Sequence, residues 1–262
     1  MFRILRFIPL VALLLTTVGC AHNYFNVPNE TVNKKVKVLG VAPIFMDADS
    51  QILHPEKEAL VALVKEFNRK NERELAAMLR KDCGYFSVRF LDDEPDQLFP
   101  KLFSRREKRD DAGIQYNKYF FKEQEVRDYL TKNGMDALML VVVSGITRRD
   151  TKFSSNLTSK LEAHYDDLII TAVITDGSEG TLWEYPNFRQ RLLSLPPLYE
   201  LQYPDFDEAE ANLSDKVDIK FKTVAGIKRG FERKEKDVLF RAMPVSSVYY
   251  RLFSDMVSLQ KR

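Results

Sequence analysis

The chain contains few of the residues that build covalent or metal-based scaffolds. Its 262 residues include only two cysteines, three histidines and one tryptophan. Two cysteines exclude a disulfide-rich scaffold and a zinc module with four cysteine ligands. The histidines, His22, His54 and His164, lack the His-x-x-x-His spacing that places two imidazoles on one helix face. We therefore expect no metal site and no cofactor.

Glycine-based signatures are also missing. Ten glycines and eleven prolines without a repeat exclude collagen-like, low-complexity and solenoid chains. There is no Gly-x-Ser-x-Gly nucleophile motif, no phosphate-binding loop and no dinucleotide fingerprint after the first predicted strand. An enzyme that uses a pair of carboxylates would need no such motif, so this class stays open.

The first 20 residues have the layout of a secretory signal. Arg3 and Arg6 precede a short apolar run, Phe7–Leu15, and small residues then lead to Gly19-Cys20. The run is too short to cross a bilayer core of about 30 Å as a stable helix. We expect cleavage to remove residues 1–19. Cleavage after another small residue, without lipidation, is the alternative.

The residues Thr17-Val18-Gly19-Cys20 resemble the lipobox of bacterial lipoproteins, although Thr17 stands where leucine is most common. The resemblance implies that the Cys20 thiol carries diacylglycerol and that the new amine is acylated, for example with palmitate. Several chains anchor a protein firmly, because each buried CH₂ contributes about 0.8 kcal/mol. Ala21, rather than an aspartate, follows the cysteine, which by the sorting rule of such lipoproteins implies the outer membrane, facing the periplasm.

Processing changes the charge of the chain. The full sequence has 40 basic and 38 acidic residues and a formal net charge of +2. Loss of Arg3 and Arg6 leaves 38 of each, so the mature chain is neutral. Its basic stretches, Ser104–Asp110 and Lys228–Lys236, are interleaved with acids and are interpreted as solvated loops. A neutral chain of this kind gives no support for a nucleic-acid partner.

Alternating strand and helix patterns predict an α/β class, with a mixed β-sheet flanked by helices in a single domain. Apolar runs predict strands at Val36–Phe45, Tyr85–Leu91, Leu138–Ile146 and Asp166–Asp176, the last with a hairpin partner at Thr181–Tyr185. Helical spacing predicts one long or two short helices from Pro55 to Leu79, a helix at Lys122–Asn133 and a C-terminal amphipathic helix from Pro244.

The predicted organisation has three parts. A signal peptide at 1–19 is followed by a lipidated tether at 20–34 and by the α/β domain at 35–262. Two long charged excursions, at about 92–121 and 186–216, interrupt the domain, and we expect the first of them to contribute little to the core. Because the lipid consumes Cys20, Cys83 is left as the one cysteine thiol, and no disulfide can form within the chain.

The best acidic candidate is Asp47-Ala48-Asp49-Ser50, which follows the first strand, where α/β folds often place ligand sites. With His54, these carboxylates could hold a divalent cation or serve an envelope hydrolase. The segment lacks the central glycine of an EF-hand loop, and a solvated turn that caps the next element is the preferred interpretation.

Cys83 ends a helix, where the macrodipole disfavours a thiolate, so it is interpreted as a semi-buried structural residue.

Aromatic residues supply the candidate interface. Tyr199, Tyr203 and Phe206 lie among prolines in the second excursion, and exposed aromatic residues of this kind favour protein contacts. The aromatic cluster within Tyr116–Phe121 is interpreted as core instead.

Three segments together resemble a group of periplasm-facing outer-membrane lipoproteins: VKVLGVAPIF, NGMDALMLVVVSGI and IITAVITDGSEGTLWEY. The group includes the curli-secretion subunit, peptidoglycan-synthase activators and a conserved neisserial-type lipoprotein family. The resemblance implies a small α/β domain related to the amino-terminal domain of the Tol-system β-propeller protein. It also implies a role in assembling or regulating envelope machines, and it supplies no catalytic residues.

The expected function follows from these features. We expect a non-enzymatic module that contacts envelope proteins or another copy of itself and is held to the membrane by its N-terminal lipid. No small-molecule substrate is identified. A channel-forming subunit would need alternating segments of about ten residues, and neither excursion has them.

Overall fold

The fold is organised around one long strand, β6 (Ala137–Phe153), whose first ten residues are buried. The computed structural model describes residues 23–153, 160–178, 180–190, 194–203, 220–236 and 242–261. Cys20 and Phe206 therefore lie outside the described residues. The α/β class with a mixed sheet flanked by helices in a single domain is confirmed.

Six helices and thirteen strands make up the described chain. The helices are α1 (Asn29–Lys35), α2 (Lys57–Asp82), α3 (Pro95–Leu102), α4 (Glu123–Asn133), α5 (Val224–Glu232) and α6 (Ser247–Ser258). The first strands are β1 (Val38–Val41), β2 (Phe45–Asp47), β3 (Ser87–Phe90), β4 (Phe103–Asp111) and β5 (Ile114–Phe121). After β6 come β7 (Lys160–Thr175), β8 (Thr181–Tyr185), β9 (Tyr199–Glu200), β10 (Gln202–Tyr203), β11 (Lys220–Phe221), β12 (Lys234–Lys236) and β13 (Ala242–Ser246).

The main sheet has the order β3-β1-β6-β7-β8, with β2 also paired to β6 and β9 to β7. Strands β1, β2 and β3 are parallel to β6 or to each other, whereas β7, β8 and β9 are antiparallel additions. The β6–β7 pairing runs without a register shift from Leu138 opposite Thr175 to Phe153 opposite Lys160. This long ribbon continues well beyond the part of β6 that is buried.

Helices cover both faces of the sheet. Alternate residues of β6, Met139, Val141 and Val143, join a core formed with α1, α2, α5 and α6. The intervening Leu138, Leu140 and Val142 join a smaller core with α3 and α4. A strand that is buried on both faces has a continuous apolar run, so its sequence alone predicts it.

The predicted first strand, Val36–Phe45, is two strands in the structure. Both pair with β6, β1 beside Ala137–Met139 and β2 beside Val142–Ser144. Pro43 lies in the break between them and has no N–H to donate to a ladder. The prediction of one continuous strand was therefore wrong at the proline.

The polar run Asn68–Arg73 does not divide the long helix, because α2 is continuous. Its Asn68, Asn71 and Glu72 are buried, and they bond to backbone and hydroxyl groups that the core would otherwise leave unpaired. The helix ends as predicted, with Gly84 in the left-handed region at φ 69°.

The predicted tether is shorter than expected. From Asn23 onward the chain belongs to the fold, with Phe25 and Val32 buried in the main core. The Asn26 backbone N–H donates to the Leu182 carbonyl at 2.8 Å. This segment forms an irregular turn followed by a short helix. Its apolar residues therefore show no regular spacing, and the sequence pattern does not predict that they are buried.

Both predicted excursions contribute to the core, which corrects the expectation of little core in the first. Residues 92–121 form α3 and the β4–β5 hairpin, and Leu98, Leu102 and Tyr119 are buried. The charges are concentrated on β4, which is almost fully exposed, whereas β5 carries the buried side chains. In the second excursion, Leu195, Leu198 and Leu201 are buried next to β9.

The C-terminal helix begins later than predicted. Pro244 lies in β13, and α6 starts at Ser247. The amphipathic stripe is otherwise as expected, since α6 buries Tyr249, Leu252, Phe253 and Met256. Among the helices of the described residues, none is long and apolar enough to cross a membrane.

Gly145 provides a test of the close approach between β6 and the loop after β2. A Cβ at this position would lie 2.4 Å from the Gln51 carbonyl oxygen and 2.5 Å from Ile52 Cγ1. We expect Gly145→Ala to lower the free energy of unfolding by about 1–3 kcal/mol, because backbone must move to admit the methyl group. Gly180→Ala, where a Cβ meets nothing within 4 Å, is the matched control. Urea unfolding curves that coincide for the two variants would contradict this packing.

Candidate interaction surface

Tyr199 is fixed on the domain by an aromatic stack. It lies in β9, opposite Leu168 of β7, and its ring stacks on Phe231 of α5 at a centroid distance of 5.1 Å. A Cβ at Gly230 would lie 2.3 Å from the Tyr199 hydroxyl oxygen, so this glycine makes room for the ring. Burial raises the pKa of Tyr199, and the phenol stays neutral at physiological pH.

Lys222 joins Tyr199 to Tyr203. Its ammonium group lies 5.0 Å from the Tyr199 ring centroid and 5.4 Å from that of Tyr203. It also donates a hydrogen bond to the Glu200 carbonyl at 2.8 Å. Burial lowers the pKa of Lys222. Tyr203 itself is 52% exposed, so the group presents one well-held cation and one accessible aromatic ring. We call Tyr199, Tyr203 and Lys222 the tyrosine–lysine surface.

The structure thus brings together two of the three residues predicted as an interface, while Phe206 lies outside the described residues. Sequence reasoning missed the partners Lys222 and Phe231. The solvated-loop interpretation of Lys228–Lys236 is wrong for its first part, which belongs to α5 and contains the fully buried Phe231. Buried Ile227 and Phe231 are four residues apart, and this spacing was the available signal of an amphipathic helix.

A polar cleft of about 720 Å³ lies next to the tyrosine–lysine surface. The second half of the β6–β7 ribbon, the tip of the β4–β5 hairpin and the segment around Pro196-Pro197 form its walls. Lys152 bridges Asp150 at 2.9 Å and Glu200 at 2.7 Å. Because the Glu200 backbone carbonyl also accepts from Lys222, this residue links the cleft to the tyrosine–lysine surface.

An almost fully buried ion pair supports the wall of this cleft. Arg148 Nε donates to Asp167 Oδ2 at 2.8 Å, and the two side chains are 11% and 1% exposed. Arg148 Nη1 also donates to the Leu195 carbonyl, which ties the ribbon to the second excursion. Asp167 Oδ1 has no hydrogen-bond partner among the described residues. Burial raises the pKa of Asp167, although the charge of Arg148 acts in the opposite direction.

Asp47 is neither in a solvated turn nor in a carboxylate pair. It is buried, and its Oδ2 accepts from Arg106 Nη1 at 2.5 Å and from the Tyr119 hydroxyl at 2.7 Å. Asp49 is exposed and contributes its backbone carbonyl to Arg106. The predicted turn is present, since the Ser50 N–H donates to the Asp47 carbonyl at 3.2 Å. The expectation that Asp47 is solvated was wrong, because the hairpin that covers it supplies a cation that the local sequence does not reveal.

The hydrogen-bonding neighbours of His54 and Cys83 are backbone groups of the fold, which indicates structural roles for both residues. His54 Nε2 lies 2.9 Å from the Lys222 carbonyl oxygen, and Nδ1 accepts from the Glu56 N–H. Cys83 is fully buried at the end of α2, with its thiol 3.5 Å from the Val257 carbonyl oxygen. Among the residues with described coordinates, no group of three His, Cys, Asp or Glu side chains could hold a metal ion.

The likeness of this chain to known proteins is weak. No family model and no curated protein matches it. It is similar to the dodecamer of a PelC point variant from Paraburkholderia phytofirmans, with 10% identity over 57% of this chain and 69% of that chain and a TM-score of 0.23. It is also similar to a neuraminyllactose-binding hemagglutinin homolog from Helicobacter pylori, with 11% identity over 85% and 84% of the two chains and a TM-score of 0.33. At these TM-scores, neither likeness bears on function.

The contribution of the Arg148–Asp167 pair to stability can be compared with that of the exposed Arg149–Glu162 pair beside it. Replacing Arg148 by methionine leaves a buried carboxylate without its cation, so we expect the free energy of unfolding at neutral pH to fall by about 3–5 kcal/mol. The pKa of a buried, unpaired Asp167 lies above its value in the unfolded chain. The loss of stability is therefore complete at pH values above the pKa of Asp167 in the folded variant. It shrinks as the pH falls below that pKa and Asp167 is protonated.

Arg149→Met is the matched control. Arg149 pairs with Glu162 on the exposed side of the ribbon, and the two side chains are 68% and 45% exposed. We expect this change to cost about 0–1 kcal/mol at any pH. Urea unfolding of both variants at neutral and mildly acidic pH makes the comparison. Equal losses, or a loss in Arg148→Met that does not change with pH, would contradict the assigned role of Asp167.

Proposed function

We propose that the chain is a lipid-anchored, periplasm-facing envelope protein that acts as a non-enzymatic interaction or assembly module. Its partners are other envelope proteins or a second copy of itself. The observation that carries the proposal is the tyrosine–lysine surface, which presents Tyr203 beside a lysine that is held in place. The lipobox-like residues before Cys20 supply the anchor, and Ala21 favours the outer membrane.

The geometry of this surface suits protein recognition. Tyrosine gives a large contact area with few rotatable bonds, and such residues are concentrated in the energetically important parts of interfaces. The Phe231 stack and the Lys222 contacts already restrict the two rings, so binding needs little further ordering. The adjoining cleft adds paired charges that could select a partner of complementary charge pattern.

The contacts of Asp47 and His54 weigh against a hydrolase or metal enzyme built on them. The Asp47 carboxylate is occupied by Arg106 and Tyr119, and both ring nitrogens of His54 have backbone neighbours within 3.0 Å. Burial and the neighbouring Asp47 carboxylate raise the pKa of Tyr119 well above its ordinary value, so this phenol is not a base near neutral pH.

Lipid anchoring is tested by fractionation. A chain whose residues 1–20 are replaced by a cleavable, non-lipoprotein signal peptide should appear in the soluble periplasmic fraction, whereas the native chain should stay with the outer membrane after a high-salt wash. This design is preferable to Cys20→Ser alone, because an uncleaved signal peptide could hold the chain in the membrane. Unchanged outer-membrane association of the altered chain would overturn the lipid anchor.

Partner contact is tested by photo-crosslinking in cells. A benzoylphenylalanine at position 203 should yield a discrete adduct, at twice the chain mass for self-association or at another mass for a different protein. The same probe at Gln124, which is exposed on α4 against the opposite face of the sheet, is the control. Lys222→Met should reduce the adduct, because it releases the tyrosine rings. Equal yields at the two positions would count against a specific surface.

A further inference from the structure

The most exposed large apolar side chain among the described residues is Phe86. It is 87% exposed, whereas its neighbour Tyr85 is 7% exposed. Gly84 turns the chain with φ 69° after α2, and Phe86 lies just before β3, so it is outside the strand whose Val88 is buried in the core. A single exposed ring is common on protein surfaces, so the groove and the charges around Phe86 decide whether it contacts a partner.

Phe86 borders a shallow groove of about 930 Å³. The rest of its lining consists of Asn33 on α1, Val36 and Lys37 between α1 and β1, Val38 at the start of β1, Gly84, and Asp136 before β6. All of these residues precede or begin parallel strands of the sheet. The groove therefore lies at the edge where β1, β3 and β6 start, which we call the amino edge.

The chain enters the fold at the same edge. Asn26 donates from its backbone to the Leu182 carbonyl and from its side chain to the Thr181 carbonyl, at the beginning of β8. The start of β8 pairs with Thr175, which in turn pairs with Leu138 at the start of β6. Asn23 lies close by, because its side chain donates to the Val27 carbonyl at 3.0 Å.

Little chain separates this edge from the predicted lipid. From Cys20 to Asn23 are three residues, which span at most about 11 Å when fully extended. An anchor at Cys20 therefore holds the entry point of the chain close to the lipid headgroups. This step rests on the proposed lipidation of Cys20.

The charge of the amino edge fits a phospholipid surface. Lys34, Lys35, Lys37 and Lys81 are exposed next to the groove. The acids at this edge are Glu30 on α1, Asp82, Asp136 and Asp176 after β7. The Asp136 carboxylate accepts from the backbone N–H groups of Lys37 and Val38. Exposed lysines around an aromatic residue are the combination that contacts anionic headgroups and the interfacial region.

We propose that the amino edge is the membrane-facing surface of the anchored domain, with the Phe86 ring in the headgroup region and the surrounding lysines against anionic phosphates. The partner is thus the bilayer that carries the lipid anchor. In this orientation the β6–β7 ribbon projects away from the membrane, and so do the cleft and the tyrosine–lysine surface beside it.

Tryptophan fluorescence tests the orientation. The native, fully lipidated chain is reconstituted into vesicles of phosphatidylethanolamine and phosphatidylglycerol, with and without brominated acyl chains, which quench tryptophan at short range. Phe86→Trp should gain emission that shifts to shorter wavelength and is lost with brominated lipid. The native Trp183 is fully buried and gives the same background in every variant.

Phe153→Trp is the matched control, because Phe153 is also exposed (58%) and lies at the other end of β6, about 50 Å along the strand. Its emission should be the same with and without brominated lipid. Replacing Lys34, Lys35 and Lys37 by glutamine, or omitting phosphatidylglycerol, should weaken the quenching of Phe86→Trp.

Each other result has a defined meaning. Vesicle-bound protein in which Phe86→Trp is unquenched, or in which Phe153→Trp is quenched equally, would overturn the orientation but leave the lipid anchor standing. A shift of the Phe86→Trp emission that follows protein concentration without lipid quenching would assign the groove to a second copy of the chain and overturn the membrane contact. If the wild-type chain failed to float with the vesicles, the anchor itself would be refuted, and the orientation with it.

Discussion

Three buried polar side chains of α2 hold together segments that are far apart in the chain. Glu72 accepts from the Ile44 N–H at 3.0 Å, and Asn68 donates to the Ile44 carbonyl at 3.3 Å. Asn71 accepts from the Ser246 N–H at 2.7 Å, and Asn68 also accepts from the Tyr249 hydroxyl at 2.7 Å. Buried backbone groups outside a ladder need such partners. The break at Pro43 and the approach of the C-terminal helix both depend on them.

This arrangement has an electrostatic cost that the rest of the fold tolerates. Burial raises the pKa of Glu72, because the site is poorly hydrated and disfavours the charged carboxylate, whereas the hydrogen bond from the Ile44 N–H acts in the opposite direction. The domain still benefits, since an unpaired Ile44 N–H in the core would be unfavourable as well. One stripe of α2 thus packs apolar side chains into the core, and another forms hydrogen bonds with backbone groups of other segments.

The β6–β7 ribbon connects the two proposed contact surfaces. Its first half is apolar and lies between two layers of helices, so it fixes the amino edge with its groove. Its second half becomes polar after Ile146, where Arg148 pairs with Asp167, and forms the wall of the cleft. The pairing without a register shift joins the strand ends at the proposed membrane contact to the part of β7 that pairs with β9 at the tyrosine–lysine surface. A lipid-anchored docking module would need that geometry to present its binding surface away from the bilayer.

Local patterns determined much of this protein: the fold class, the buried run of β6, the β7–β8 hairpin and the helix stop at Gly84. The candidate lipidation of Cys20 and the selection of Tyr199 and Tyr203 also came from the sequence alone. These features depend on periodicity, turn residues or short motifs, all of which lie within a few neighbouring positions. Tertiary structure alone decided that Arg106 neutralises Asp47, that Lys222 lies between the two tyrosines and that Phe86 shares an edge with Asn23. These residues are distant in the sequence. Only the folded chain brings Arg106 to Asp47 and Lys222 to the two tyrosine rings, and only the order of the strands places Phe86 and Asn23 at one edge.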